Sequence, residues 1–119
     1  MIALNCLEYR DKLDYSRIFS IKVDPSETIG FLREEIWKKR SKWLNPDFTR
    51  IILYIPRTAV SKAEFNDTFE GLNLGEPKDR NSALEELDPA FDVGDYPYLK
   101  EATKKMLHVI VFLSEGKWR

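Results

Sequence analysis

The sequence predicts an α+β domain in which a mixed sheet of about four to five strands packs on one main helix. Three observations support this prediction. Residues Ile18 to Arg40 have the pattern of a strand, a turn and a helix. Residues Met1 to Leu7 alternate in the manner of a strand, and Leu107 to Leu113 form an apolar run near the end of the chain.

The second strand and the turn after it are defined by a change of pattern. Phe19, Ile21 and Val23 alternate with polar residues, which is the period of a half-buried strand. The sequence Asp24-Pro25-Ser26 then ends the strand, because proline has no N–H for a ladder and Asp and Ser favour turns.

The helix is predicted from Thr28 to Arg40. Thr28 is a suitable N-cap. Ile29, Leu32 and Ile36 follow at spacings that place them on one face, which we expect to cover the sheet. Basic residues at the end of the segment suit the helix dipole.

Two further strands are predicted from shorter sequence patterns. In the first strand, Ile2, Leu4 and Cys6 are expected to point inward. Residues 50–55 are a β-branched and aromatic run that predicts a third strand, ended by Pro56.

The region from Thr58 to Lys105 has the least regular pattern. Within it, Ser82 to Leu87 predicts one helical turn that carries Leu84 and Leu87.

Composition narrows the classes of protein. The 119 residues predict a single domain over 1–119, and 43% hydrophobic residues suffice for a core. A net charge of −1 gives no general attraction to nucleic acid, so we expect this domain to bind none. The chain lacks an apolar run long enough to span a membrane, and no secretory signal peptide is visible at its start.

The sequence does not predict an enzyme. The one histidine, His108, lies within a strand, and the one cysteine, Cys6, is expected to be a small core residue. Two such residues cannot build a structural zinc site, so we expect no metal. Five scattered glycines form no phosphate-binding loop, and we expect no cofactor.

The ordered set of segments resembles two kinds of protein with related folds. Residues 18–40 and both end strands are similar to ubiquitin. The closer resemblance is to the N-terminal header of the Crinkler effector family, on five segments in order. These are Met1–Leu7, Arg17–Asp24, Thr28–Ile36, Ile51–Pro56 and His108–Val111. The resemblance implies a ubiquitin-like β-grasp in which residues Thr58 to Lys105 form an extended insertion before the last strand.

The resemblance also implies a role. It suggests a non-catalytic interaction module of a secreted effector that acts inside a host cell, and possibly in its nucleus, by binding a host protein or another header domain. The alternative is a ubiquitin-fold adaptor that binds a ubiquitin-receptor-like or GTPase partner in its own cell. The tail, 114–119, lacks the terminal Gly-Gly that conjugation of ubiquitin requires.

A candidate partner surface lies on the sheet face away from the helix. By similarity to ubiquitin, Leu107, Val109 and Val111 should point inward. The expected partner-binding residues on the other face are Ile52, Tyr54, His108, Ile110 and Phe112. Two interpretations are open: this face is an exposed apolar patch that binds a partner, or the insertion folds over it.

Overall fold

The computed structural model describes residues 2–9, 18–39, 51–58, 60–61, 69, 76–101 and 106–113. Its strands are β1 (Ile2–Glu8), β2 (Ile18–Val23), β3 (Ile51–Pro56), β4 (Val60–Ser61), β5 (Leu84–Glu86), β6 (Met106–Leu107) and β7 (Val109–Leu113). Its described helices are α1 (Ile29–Lys39), α2 (Pro77–Ala83) and α3 (Pro97–Lys100), with a 3-10 turn at Val93–Asp95.

Five strands form one mixed sheet in the order β2-β1-β7-β3-β5. The β1 and β7 strands run parallel, and the other neighbours run antiparallel. Two further short strands, β4 and β6, pair with each other. The predicted α+β class and the small mixed sheet on one main helix are confirmed.

The turn before α1 is built by Asp24 and Ser26. The backbone N–H of Ser26 donates to Asp24 Oδ1 at 2.9 Å, and the Ser26 hydroxyl donates to the same oxygen at 2.8 Å. These two bonds favour the ionised carboxylate and lower the pKa of Asp24. The local sequence therefore fixes the reversal between strand and helix.

The start of α1 is capped as predicted. Thr28 Oγ1 accepts a hydrogen bond from the N–H of Phe31 at 3.0 Å, which is the N-cap arrangement. The described helix ends at Lys39, and Arg40 lies outside the described residues. Ile29, Leu32 and Ile36 are all buried, so the predicted helix face is confirmed.

A return segment from the insertion supports the same end of α1. The N–H groups of Ile29 and Gly30 donate to the carbonyls of Phe91 and Pro89 at 2.8 and 3.0 Å. These are N–H groups that the first turn of a helix cannot satisfy internally. The insertion thus contributes directly to the stability of the main helix.

Two apolar layers lie on opposite faces of the sheet. The inner layer, between the sheet and α1, includes Leu4 and Cys6 with Val109 and Val111, as expected. The outer layer, on the other face, includes Leu7, Ile110 and Phe112. The sheet is therefore buried on both sides.

Two predictions within the insertion and last strand are wrong. Residues 82–87 are not a helical turn: α2 ends at Ala83, and Leu84 to Glu86 pair with β3 as a strand. Leu107 does not point inward, because the chain interrupts its pairing at His108 and Leu107 joins the outer layer. The predicted continuous strand is two strands.

The contact between helix and sheet should dominate stability. Ile36 is completely buried, so Ile36→Ala should lower the free energy of unfolding by about 2–5 kcal/mol through lost burial and a cavity. Denaturant unfolding followed by circular dichroism measures this loss. Lys38→Ala is the matched control on the same helix, where only exposed pairs with Glu34 and Glu35 are removed. Equal losses from both variants would contradict the assigned helix face.

Candidate protein-interaction surface

Four of the five predicted partner-binding residues belong to the outer layer or pack against it: Ile52, Tyr54, Ile110 and Phe112. The ring of His108 instead lies 5.9 Å from that of Tyr98, which packs against the inner layer. All of the five except Ile52 are buried. His108 and Ile110 are 0% exposed, Tyr54 is 4% exposed and Phe112 is 6% exposed. Ile52 is partly buried and packs against the same layer. The expectation of an exposed apolar patch is therefore corrected for these four residues. Partner binding through Ile52 stays a prediction.

The cover over this face comes from the insertion, which includes β5. Phe69 is buried in the outer layer, and Leu84 of β5 is completely buried there. Ala83 packs against the same layer from the end of α2. Of the two interpretations, the one in which the insertion folds over the face describes the structure.

An aromatic group forms the centre of the outer layer. The rings of Tyr9 and Phe112 stack with centroids 4.7 Å apart, and the ring of Tyr54 meets Phe112 edge-on at 5.1 Å. Both arrangements are favourable for aromatic pairs. Tyr54 lies in β3, Phe112 lies in β7 and Tyr9 directly follows β1, so the group joins three neighbouring strands.

Arg80 of α2 lies over this aromatic group. Its guanidinium carbon is 5.0 Å from the ring centroid of Phe112 and 5.7 Å from that of Tyr54, within the range of a cation–π interaction. Burial raises the pKa of Tyr54, and the positive charge of Arg80 acts in the opposite direction. Nothing in the sequence pattern identified Arg80 as a residue of this face.

His108 has a structural role at the junction of β6 and β7. Its Nδ1 accepts a hydrogen bond from the backbone N–H of Asn5 at 2.8 Å. The backbone N–H of His108 donates to the carbonyl oxygen of Asn5 at 2.9 Å. The imidazole therefore takes the place of a backbone acceptor in the ladder of β1. This engagement, together with complete burial, holds the ring away from solvent.

Asn5 extends the same polar group toward β2. Its amide Nδ2 donates to the carbonyl of Met106 at 2.8 Å, and its Oδ1 accepts a hydrogen bond from the Ser20 hydroxyl at 3.0 Å. A buried amide needs such partners, since burial without them is costly. The group links the two ends of the chain to β2.

Cys6 lies in the inner layer as a free thiol. It is completely buried, and burial raises the pKa of the Cys6 thiol, with a smaller opposing effect from Lys39. A protonated, inaccessible thiol is a poor nucleophile and a poor metal ligand. The described residues include no group of three or more His, Cys, Asp or Glu side chains placed to hold a metal ion.

The fold defines the class of protein. A five-stranded mixed sheet with parallel first and last strands, a helix after the second strand, and a long connection before the last strand make this a β-grasp-like domain of ubiquitin type. None of the helices in the described part of the chain is long and apolar enough to cross a bilayer.

Comparison with known families then places the chain. The model of the Crinkler effector protein N-terminal domain matches residues 2–112, and the chain belongs to this family. The resemblance noted from the five ordered segments is confirmed. Neither the curated proteins nor the solved structures contain a match to the chain.

The position of Arg80 can be tested through Tyr54. Arg80→Met keeps an apolar stem over the ring and removes the positive charge, so the pKa of Tyr54 should rise further. A pH titration followed by NMR of ring-labelled tyrosine measures the shift. Lys78→Met, on the same helix, should leave the pKa of Tyr54 unchanged. An unchanged or lower value in Arg80→Met would mean that Arg80 does not lie over the ring.

The inaccessibility of Cys6 gives a second prediction. Because the pKa of the buried thiol is raised, the native protein at pH 8 should react with an aromatic disulfide reagent only as fast as it opens. The yellow product measured by absorbance should form slowly in buffer and at once in denaturant. Rapid stoichiometric reaction of the folded protein, confirmed by an unchanged far-ultraviolet spectrum, would contradict the burial.

Proposed function

We propose that this domain is a non-catalytic interaction module at the head of a Crinkler-type secreted effector, serving delivery into host cells or protein binding within them. The observation that carries the proposal is the family match over residues 2–112, which spans nearly the whole chain. The family's description as the N-terminal domain of an effector protein supports a role in a host cell.

The chemistry of the described residues supports a module without catalysis. A nucleophile requires a base within hydrogen-bond reach and a path to substrate. His108 is buried and its Nδ1 is engaged by Asn5, while Cys6 is buried with a raised thiol pKa. Neither side chain has the exposure that attack on a substrate requires. The domain's contribution is therefore its surface.

Because the outer face of the sheet is covered, a partner would contact other parts of the domain's surface. In ubiquitin-type domains an exposed apolar sheet face would serve as a partner site, but here the insertion and Arg80 cover it. Larger apolar side chains remain exposed at Phe31, which is 40% exposed, and Phe91, which is 51% exposed. Binding by this domain thus relies on surface features outside the buried outer layer.

Delivery is tested with a reporter fusion in the organism that makes the protein. Residues 1–119 are placed before a reporter enzyme that is active only in host cytoplasm, and the producing organism is grown on host cells. We expect reporter activity in host cells from this fusion and none from the reporter alone. Proximity labelling by the same fusion should identify host proteins, in the nucleus if the family's effector role extends there.

The control is a fusion carrying Ile36→Asp, which places a charge in the inner layer and should unfold the domain. Loss of delivery and of labelled host partners in this variant would support a folded interaction module. If the intact fusion stays in the producing cell and labels partners there, the adaptor role replaces the effector role. If unfolding changes neither location nor partners, the proposal is wrong.

A further inference from the structure

The outer edge of β2 carries backbone groups that point away from the sheet. In the antiparallel pairing of β1 with β2, Asn5 lies opposite Ser20. The N–H and C=O of Asn5 both bond to His108, on the β7 side. In an antiparallel pair of strands, two residues that lie directly opposite either bond to each other or both point their N–H and C=O groups away from each other. Because the backbone groups of Asn5 point toward β7, those of Ser20 point outward from the sheet.

The same alternation assigns the rest of the strand. Ile18 and Lys22, two residues before and after Ser20, have the same orientation, because backbone direction repeats every second residue. Among residues 2–9, 18–39, 51–58, 60–61, 69, 76–101 and 106–113, no strand pairs with β2 on this side. Within this described part of the chain, three successive sets of ladder groups thus form an edge to which a further strand could be added.

Lys39 confirms the orientation of this edge. Its ammonium donates to the carbonyl oxygen of Ser20 at 2.9 Å, reaching across from the last turn of α1. A carbonyl bonded within the sheet would not be accessible from that side. Lys39 therefore occupies the position that an N–H group of an added strand would take.

A cavity lies against the edge. It has a volume of about 600 Å³ and is bordered by Asn5, Ser20 and Lys22 from the sheet and by Glu35 and Lys39 from α1. This volume is in the range of sites that hold a ligand of several hundred daltons. Space for side chains therefore accompanies the outward-pointing backbone groups.

The charges around the cavity favour an acidic occupant. Lys22 is exposed and Lys39 is exposed at the end of α1, so two ammonium groups border the site. The one carboxylate there, Glu35, is 3.3 Å from the ammonium of Lys38, which offsets its charge. Opposite charges across strand neighbours are stabilising, and like charges are destabilising.

We propose that the outer edge of β2 binds an extended, acidic segment of a partner protein as an additional strand of the sheet. The inference rests on the proposed function, since it assigns a surface and a partner chemistry to the interaction module. Main-chain bonds to Ile18, Ser20 and Lys22 supply the register, and carboxylates of the segment pair with Lys22 and Lys39.

Binding exchanges one hydrogen bond for another. An N–H of the incoming segment donates to the Ser20 carbonyl, and the Lys39 ammonium moves from that carbonyl to a carboxylate of the segment. Both polar groups stay satisfied throughout, and a charge-assisted bond replaces a bond to a neutral acceptor. The edge is thus protected in the free protein by the same lysine that selects the partner.

The other edge of the sheet has the opposite character. It is formed by β5, which has only three residues, and Glu85 and Glu86 are exposed on it. A short edge with carboxylates disfavours an acidic strand. The acidic segment should therefore select β2 and not β5.

The test uses NMR of the 119-residue protein and a defined peptide, acetyl-Val-Asp-Val-Asp-Val-Asp-Val-amide. Saturable shifts should appear at the amides of Ile18, Ser20 and Lys22, and these amides should gain protection from hydrogen exchange. The same peptide with lysine in place of aspartate should bind more weakly. The acidic peptide with all internal amides N-methylated should not bind, because it keeps the charges and loses the strand donors.

Two charge reversals locate the site. Lys22→Glu and Lys39→Glu should each weaken binding of the acidic peptide by roughly tenfold, through loss of an attraction and gain of a repulsion. Lys78→Glu, which makes the same charge change at an exposed position of α2 beside the opposite edge of the sheet, is the matched control and should have a clearly smaller effect. Far-ultraviolet spectra of all three variants verify that the fold is retained.

Several outcomes would overturn the proposal. The first is a lack of peptide-induced shifts at the β2 amides, or shifts confined to β5 or the outer layer. The second is equal binding of the N-methylated and the unmethylated acidic peptides. The third is a set of β2 shifts that changes on dilution without peptide, which would indicate a second copy of the chain as the occupant. Host delivery or partner labelling that persists with Lys22→Glu and Lys39→Glu would leave the proposed function standing while this surface fails. If delivery and partner labelling are lost in the Ile36→Asp fusion but kept in the two lysine variants, the failure of this surface is distinguished from a failure of the proposed function.

Discussion

The central position of β7 is the constraint on which the rest of the structure depends. This strand lies between β1 and β3, so neither of its edges reaches solvent through the sheet, and its apolar residues point to both faces. Val109 and Val111 require a cover on one side, and Ile110 and Phe112 require one on the other. The helix supplies the first cover and the insertion supplies the second.

The inner half of the structure could be predicted from the sequence because its signals are local. Alternation in β1 and β2, the Asp24-Pro25-Ser26 turn, and the spacing of Leu32 and Ile36 each contrast polar with apolar residues over a few positions. Such contrast fixes which side of an element is buried. The resemblance to a known family then supplied the β-grasp arrangement, which local patterns do not contain.

The outer half could not be predicted in the same way. Ile52, Tyr54, Ile110 and Phe112 do share the outer layer, but alternation does not say whether their cover comes from the same chain or from a partner. That cover depends on contacts distant in sequence, such as Arg80 over Phe112. One local signal was present and unused: Pro77 is suited to the first turn of a helix and marks α2, five residues before the predicted turn.

The bond between His108 and Asn5 has a consequence for how the two ends of the chain align. The last strand is apolar at nearly every position, so burial alone would tolerate several alignments with β1. A slip of one residue would bring Leu107 or Val109 opposite the Asn5 N–H, and neither side chain offers an acceptor. The imidazole of His108 thus selects a single alignment between two segments whose bonded residues are 103 positions apart in the sequence.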